Sequence, residues 1–332
     1  MLVRGDFYEK NRVSDIMSFL SGSVCVLFGM CRNGASYRIH QGGIFMFLTI
    51  RLKKLFAALF CAALLVCGFA GTQRILPAGT EPEEGVTVPI MMYHSVLKNP
   101  ASSGTYVISP NALEADLKFL SEQGYQTVVM QDLIDFCKEK KPLPEKPVVL
   151  TFDDGYLNNM TYALPLLEQY NAKAVISIVG EYTDLYTKTP DEHVSYAHLS
   201  WEHCRKLQKS GRIELQNHSD LLHHLKGRKG SFKKSGESTV QYQEMLSEDL
   251  NNMQKKMLQE LGAPANTYTY PYGSIANDSI PVIRALGFSA SLSCCEGINK
   301  LTGSEEELFL LKRCLRSDRR SVEKIFHEFH LI

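Results

Sequence analysis

The sequence PVVLTFDDGY at residues 147–156 decides the fold. Its first six residues form a short, mostly apolar run that indicates a buried strand. Asp153 and Asp154 follow directly, so two carboxylates are expected where that strand ends. Adjacent carboxylates repel each other unless a cation or a proton lies between them, and Gly155 permits the sharp turn that can aim both into one site. A surface Asp-Gly turn is the alternative interpretation.

Short apolar runs alternate with amphipathic stretches on both sides of this strand, from Val88 onward. The predicted strands are residues 89–93, 127–130, 147–152, 174–179, 213–216, 267–270 and 288–292. The predicted helices are a segment from Pro110 to Gly124, residues 131–137, 159–170 and 200–210, a long segment that ends at Gly262, and residues 279–286. Regular βα alternation over about 245 residues predicts an α/β domain with a parallel sheet or barrel and outer helices.

Three further polar clusters follow predicted strands. They are MMYHS at residues 91–95, NHSDLLHH at residues 217–224 and YPYG at residues 270–273. In βα barrels the carboxyl ends of the strands meet at one face, so these side chains are expected close to the two aspartates. Two imidazoles at short spacing can chelate a divalent metal together with a carboxylate. Taken singly, the same segments could be exposed histidines, a tight turn and a structural histidine.

Together the clusters resemble the motifs of the polysaccharide deacetylases, also called the NodB-homology family or carbohydrate esterase family four. TFDDGY resembles the first motif, NHSDLLHH the His-Ser/Thr…His motif and YPYG the third motif, and the resemblance spans Val88 to Arg316. It implies a distorted (β/α) barrel of about seven parallel strands with outer helices.

The resemblance also implies a set of metal ligands. Asp154, His218 and His223 would bind one divalent metal. Two imidazoles and one carboxylate suit Zn²⁺ and leave coordination positions open for water and substrate, with Co²⁺, Ni²⁺ and Mn²⁺ as alternatives. His224 is the alternative to His223, because a shift of one residue would exchange the ligand.

The resemblance also implies the residues that would carry out amide hydrolysis. Asp153 would be the catalytic base, and the backbone N–H of Tyr272 would stabilise the oxyanion of the tetrahedral intermediate. Many family members hold the base with an Arg just before the third motif, where this chain has Thr269 and Tyr270. Arg313 is the candidate replacement. The chain also has no clear Leu-x-x-His general-acid motif near its C-terminus, and His94 is the expected substitute.

The first 87 residues differ in character from the rest. Residues 55–73 carry no charge and follow Arg51, Lys53 and Lys54, a pattern that indicates a signal peptide or membrane anchor with its N-terminal side in the cytoplasm. We therefore expect an N-terminal extension at 1–45, a signal or anchor at 46–74, a linker at 75–87 and a catalytic domain at 88–332. Met46 is a second possible start of the native chain.

The composition of the 332 residues excludes little about function. The 36 basic and 36 acidic residues balance, so the chain has no general field that would attract nucleic acid. We expect a membrane-tethered or secreted hydrolase that releases acetate from an N-acetylglucosamine-containing cell-envelope polysaccharide or from peptidoglycan, with no obligate protein partner. The alternatives are an O-acetyl esterase acting on a glycan and a non-catalytic, membrane-tethered glycan-binding protein.

Overall fold

The computed structural model of the chain describes residues 85–332. The predicted extension at 1–45, the signal or anchor segment at 46–74 and most of the linker at 75–87 lie outside this range, and the predicted domain boundaries stay predictions. Within residues 85–332, no helix has the length and apolar character needed to cross a membrane.

A parallel sheet forms the centre of the domain. Its strands are β2 (Ile90–Tyr93), β5 (Gln126–Val128), β6 (Pro147–Phe152), β7 (Ala174–Ile178), β8 (Ile213–Asn217), β9 (Thr267–Thr269), β10 (Ala290–Leu292) and β12 (Cys314–Leu315). They lie in the order β10-β9-β8-β7-β6-β2-β12, and β5 also pairs with β6. The seven-strand path and the outer helices confirm the predicted distorted (β/α) barrel.

The two ends of this path approach each other through Leu311, which lies three residues before β12. Its backbone N–H donates to the carbonyl of Ser291, and its carbonyl accepts from the N–H of Ser293, each at 2.9 Å. The carboxyl ends of β10 and β12 therefore lie on the same side of the sheet as those of β6 and β8, and Arg313 follows this junction directly.

Helices cover the sheet. They are α1 (Pro110–Glu122), α2 (Met130–Glu139), α3 (Leu164–Gln169), α4 (Gly180–Lys188), α5 (Trp201–Lys209), α6 (Thr239–Leu261), α7 (Ser279–Ala285) and α8 (Val322–Glu328). A π-helical turn at Asn159–Ala163 precedes α3. The side chains of Ser109, Ser200 and Ser238 cap the amino ends of α1, α5 and α6, which satisfies backbone donors that have no partner within the helix.

Several elements were not expected from the sequence. Helix α4 buries only Gly180 and Thr183, so it lacks the apolar periodicity on which the predictions rest. Two small sheets pair β1 (Val86–Val88) with β11 (Asn299–Leu301) and β3 (Ser95–Val96) with β4 (Val107–Ile108). These strands have only two or three residues each, too few for a visible pattern.

The strand predicted at 127–130 ends earlier than expected. Strand β5 ends at Val128, and helix α2 begins at Met130. The Asp132 carboxylate accepts a hydrogen bond from the Val129 N–H at 2.9 Å, and this cap starts the helix within the apolar run.

Candidate metal centre and active site

The two adjacent aspartates follow β6 in a turn that requires unusual backbone conformations. Asp154 has a φ of 70° and Gly155 a φ of 66°. A Cβ atom at Gly155 would lie 2.9 Å from a methyl carbon of Ile178 on β7, so only glycine fits. The turn aims both carboxylates into the molecule, where Asp153 is 2% and Asp154 9% exposed. The interpretation as a surface Asp-Gly turn is therefore wrong.

Asp154, His218 and His223 form a cluster whose potential ligand atoms all lie within 4.8 Å of one another. Oδ1 of Asp154 is 3.4 Å from Nε2 of His218 and 3.0 Å from Nε2 of His223. The structure thus brings the three predicted ligands together, each with one donor atom directed at the same point.

The hydrogen bond on the far side of His218 tests whether this cluster fits a cation. Nδ1 of His218 lies 2.8 Å from the Thr269 carbonyl oxygen, which can only accept, so Nδ1 carries a proton. A neutral His218 then directs the lone pair of Nε2 at the Asp154 carboxylate. Two electron-rich atoms in this position need a second ring proton or a cation between them, and a carbonyl behind a ligating imidazole is the usual arrangement around metals.

His223 is held by two tyrosines. The hydroxyls of Tyr182 and Tyr272 lie 3.4 and 3.3 Å from its Nδ1, and both donate to its backbone carbonyl at 3.1 and 3.2 Å. The Tyr272 ring also stacks on the imidazole with centroids 4.6 Å apart. The donor set and its surroundings fit a divalent cation such as Zn²⁺.

His224 lies outside this cluster. Its Nε2 is 3.0 Å from a carboxylate oxygen of Glu181, and half of its side chain is exposed. Of the two neighbouring histidines, the geometry therefore assigns His223 to the cluster.

Asp153 is paired with Arg313, the candidate named from the sequence. The guanidinium donates to both carboxylate oxygens, with Nη1 2.7 Å from Oδ1 and Nη2 2.8 Å from Oδ2. Further bonds to the Ser293 carbonyl and the Thr151 hydroxyl hold the arginine, which is fully buried. Burial acts to raise the pKa of Asp153, but the charge and hydrogen bonds of Arg313, together with the charges of His218 and His94, bring the pKa below its ordinary value. Asp153 is consequently ionised and fixed in orientation.

The charges around Asp154 and His218 stabilise each other. Burial alone would raise the pKa of Asp154, yet hydrogen bonds from His218 and His223 hold it well below its ordinary value. Burial would lower the pKa of His218, but the two aspartates raise it overall. The negative carboxylates therefore favour a positive charge, from a ring proton or a cation, within the cluster.

A cavity of about 670 Å³ opens beside the cluster, and Asp153, Asp154, His94 and Tyr272 all contribute to its lining. Nδ1 of His94 is buried without a hydrogen-bond partner among the described residues. Burial lowers the pKa of His94, partly opposed by the charges of Asp153 and Asp154. Tyr272 has a φ of 56° and a partly exposed side chain. All predicted site residues thus border one space.

Two residues that contact the cluster were not identified from the sequence. Nδ1 of His198 lies 2.9 Å from the Asp154 carbonyl oxygen and so helps to hold the left-handed turn. Tyr182 contacts His223 from helix α4, which itself was not predicted. No local pattern distinguishes either residue, because each reaches the site through the tertiary fold.

Comparisons with known proteins show which family the chain resembles. The family model described as polysaccharide deacetylase matches residues 140–291. The poly-β-1,6-N-acetyl-D-glucosamine N-deacetylase of Escherichia coli K12 is 26% identical over 225 residues, which cover 62% of this chain and 34% of that protein. The enzyme of the same name from Staphylococcus aureus is 24% identical over 214 residues, with coverages of 64% and 69%. The chain thus spans about a third of the length of its Escherichia coli relative.

Solved structures share the fold. A de-N-acetylase from Aggregatibacter actinomycetemcomitans superposes with a TM-score of 0.62 at 25% identity, covering 73% of this chain and 99% of that one. IcaB from Ammonifex degensii superposes with a TM-score of 0.56 at 22% identity, with coverages of 71% and 94%.

Proposed function

We propose that the chain is a metal-dependent N-deacetylase, because residues 140–291 match the model of the polysaccharide deacetylase family, which its motifs predicted. Its substrate would be an N-acetylglucosamine-containing cell-envelope polysaccharide or peptidoglycan, and its product acetate. One observation carries the proposal: the Asp154, His218 and His223 cluster borders the same cavity as an aspartate held by a buried arginine.

The cluster would hold one divalent metal, for which Zn²⁺ is our first choice and Co²⁺, Ni²⁺ and Mn²⁺ are alternatives. Such an ion, when bound, makes a water molecule acidic and polarises the acetyl carbonyl. His218 would bind as a neutral imidazole through Nε2, because its Nδ1 donates to the Thr269 carbonyl. His223 would also bind through Nε2, the atom that faces Asp154. Asp154 supplies the anionic ligand.

Asp153 acts as the base in this proposal. Arg313 occupies both carboxylate oxygens, yet each oxygen keeps a second lone pair with which to accept a proton from the attacking water. Because its pKa is depressed, Asp153 is ionised and able to accept that proton. Arg313 thus lowers the basicity of Asp153 and fixes the orientation of its carboxylate.

The remaining steps stabilise the oxyanion and release the amine. We assign the backbone N–H of Tyr272 to the oxyanion, since this residue borders the cavity at the carboxyl end of the sheet. The proton that Asp153 removes from water is the one that the departing amine needs. We assign its relay to His94, which would take the proton from Asp153 and pass it to the amine, because its Nδ1 has no hydrogen-bond partner among the described residues.

Acetate release tests the proposal. The metal-loaded protein is expected to release acetate from β-1,6-linked N-acetylglucosamine oligomers or from peptidoglycan. Equal release from acetylxylan would favour an O-acetyl esterase instead. A protein that binds metal and glycan but releases no acetate from any of them would favour the non-catalytic glycan-binding alternative.

We also propose that the catalytic domain works outside the cytoplasm, tethered to the membrane or secreted. The support is the uncharged segment at 55–73 with its preceding basic residues. Fractionation of cells that express the full chain, with protease added to intact protoplasts, tests this location. A protease-resistant cytoplasmic protein would contradict it.

A further inference from the structure

The two histidines of the cluster are joined by residues 219–222, and this segment has an unusual backbone. Ser219 has a φ of 75° and is fully buried. Ser219 and Asp220 are buried without regular secondary structure, so their backbone polar groups must find partners elsewhere. The elements that supply these partners hold the segment in place and so set the distance between His218 and His223.

Helix α6 supplies the acceptors for two backbone donors of this segment. One carboxylate oxygen of Asp249 accepts from the N–H of Asp220 at 3.0 Å, and the other accepts from the N–H of Leu221 at 2.7 Å. Asp249 is 7% exposed. The two oxygens of the buried Asp249 carboxylate therefore accept hydrogen bonds from consecutive backbone amides between the two histidines.

The same helix also holds the side chain of Asp220. Nζ of Lys256 lies 2.5 Å from Oδ1 of Asp220 and 2.7 Å from Oδ2 of Asp184. Asp249 and Lys256 are seven residues apart, two turns along one face of α6. Helix α6 thus contacts residues 219–222 through both their backbone and the side chain of Asp220.

Helix α4 fixes the opposite side. The backbone N–H groups of Gly180 and Glu181 donate to the carbonyls of Ser219 and Asp220 at 3.0 and 2.9 Å. A Cβ atom at Gly180 would lie 2.2 Å from Oδ1 of Asp220, so only glycine permits this approach. Residues 219–221 are consequently held between two helices, neither of which contributes a ligand of the cluster.

We propose that Asp249 and Lys256 are positioning residues that set the separation of His218 and His223 for metal binding. The inference rests on the proposed metal site and deepens it. It makes the metal affinity depend on a helix that bears no ligand and borders none of the active-site cavity. Loss of a group that orients metal ligands commonly lowers metal affinity by roughly 10- to 100-fold.

Asp249→Asn tests the proposal with an almost isosteric change. The amide keeps one acceptor oxygen, while its NH₂ group faces the other backbone N–H, so the segment must shift. We expect the Zn²⁺ dissociation constant, measured by chelator competition, to rise about tenfold. We also expect the visible absorption bands of the Co²⁺-loaded protein to change, because they report ligand geometry.

Lys256→Met is the second variant, and Lys256→Arg should restore part of the affinity by keeping the charge. Glu248→Gln and Lys255→Met are matched controls, because both residues are exposed on the same helix. Neither control should change the Zn²⁺ affinity or the Co²⁺ spectrum. If Asp249→Asn fails to fold, the two Lys256 variants decide.

Wild-type affinity and an unchanged Co²⁺ spectrum in folded Asp249→Asn and Lys256→Met would overturn the proposal. Unfolding of every substituted protein before metal is added would also overturn it, because the network would then serve general stability. Both results differ from a failure of the proposed function, in which the wild-type protein binds metal yet releases no acetate.

Discussion

At the scale of single residues, the Asp153–Arg313 pair connects stability with chemistry. Both side chains are buried, and the arginine donates to both carboxylate oxygens. A buried pair contributes little relative to apolar packing, but removing one partner leaves an uncompensated charge. Any substitution at Asp153 therefore tests two properties at once, and they must be measured separately.

Asp153→Asn is expected to abolish acetate release while Zn²⁺ still binds. Loss of a positioned general base lowers the rate by about 10²- to 10⁴-fold, and the three cluster residues are unchanged. The unpaired Arg313 should lower the free energy of unfolding by about 3–5 kcal/mol. Activity and Zn²⁺ affinity should be compared well below the melting temperature of the variant. Retention of wild-type activity would exclude Asp153 as the base.

The pH dependence of stability should reveal Asp249. Burial raises the pKa of its carboxyl from 3.8 to about 6, partly opposed by the two backbone hydrogen bonds that it accepts. Because the folded state holds this proton more tightly, the contribution of Asp249 to stability is largest below pH 3.8 and is lost as the pH rises through about 6.

The metal-free wild-type protein should therefore lose stability relative to Asp249→Asn between about pH 4 and pH 7. A shift of about two units corresponds to about 3 kcal/mol. Urea unfolding of both proteins across this range measures the difference. A difference that stays constant with pH would show that the carboxyl titrates normally in the folded state.

At the scale of secondary-structure elements, Asp116 on α1 joins four parts of the chain. Its carboxylate accepts from Nε and Nη2 of Arg316, just after β12, at 2.7 and 3.1 Å. It also accepts from the Tyr93 hydroxyl on β2 and the Val322 N–H on α8, each at 3.2 Å. This buried group fixes α8 and the segment after β12 against β2, the strand that directly precedes His94.

Arg316→Met should consequently destabilise the fold by about 3–5 kcal/mol, because Asp116 would remain buried without its counter-ion. Lys118→Met is the matched control on the same helix. Lys118 is exposed and lies 3.8 Å from Glu122, a surface pair that contributes at most about 1 kcal/mol. Equal losses in the two variants, measured by denaturant unfolding, would contradict the assigned role of Asp116.

The elements differ in how well the sequence predicts them. Strand β6 was predicted to the residue, because its six buried residues stand between clear boundary signals. Helix α6 was predicted from its apolar face, where Leu246, Leu250 and Met253 are buried. Helix α4 and the two- and three-residue strands carry no periodic signal, and their formation depends on tertiary contacts.

The site shows the same division. Asp153, Asp154, His218 and His223 stand in short motifs directly after strands, so their convergence followed from the topology of a parallel barrel. The partner of Asp153 was named only as a candidate, because Arg313 reaches it from a position 160 residues away. No sequence pattern predicts the contacts between α6 and residues 219–221, because an Asp such as Asp249 on an amphipathic helix does not reveal its hydrogen-bond partners.

At the scale of the whole molecule, the described domain should gain stability from the metal. A ligand that binds the folded chain alone stabilises it by about 2.7 kcal/mol at a concentration 100 times its dissociation constant. Zn²⁺ should therefore raise the melting temperature of the chelator-treated wild-type protein, and Asp154→Asn should lose most of this rise. An equal rise in the variant would place the metal elsewhere.

The balanced charge of the chain averages over parts for which the sequence predicts different surroundings. The uncharged segment at 55–73 and the basic residues before it predict a signal peptide or membrane anchor. The predicted catalytic domain at 88–332 contains every residue of the candidate site. One domain would therefore account for the proposed reaction, and the N-terminal segment is the basis of the location that we propose for it.

The central claim is metal-dependent removal of acetate from an N-acetylated glycan. Its most direct test measures acetate released from β-1,6-linked N-acetylglucosamine oligomers by chelator-treated protein before and after one equivalent of Zn²⁺ is added. We predict almost no acetate before addition and sustained release afterwards, absent in a parallel sample of Asp153→Asn. Release that is independent of metal, or absent from the metal-loaded wild-type protein with every N-acetylated glycan tried, would contradict the claim.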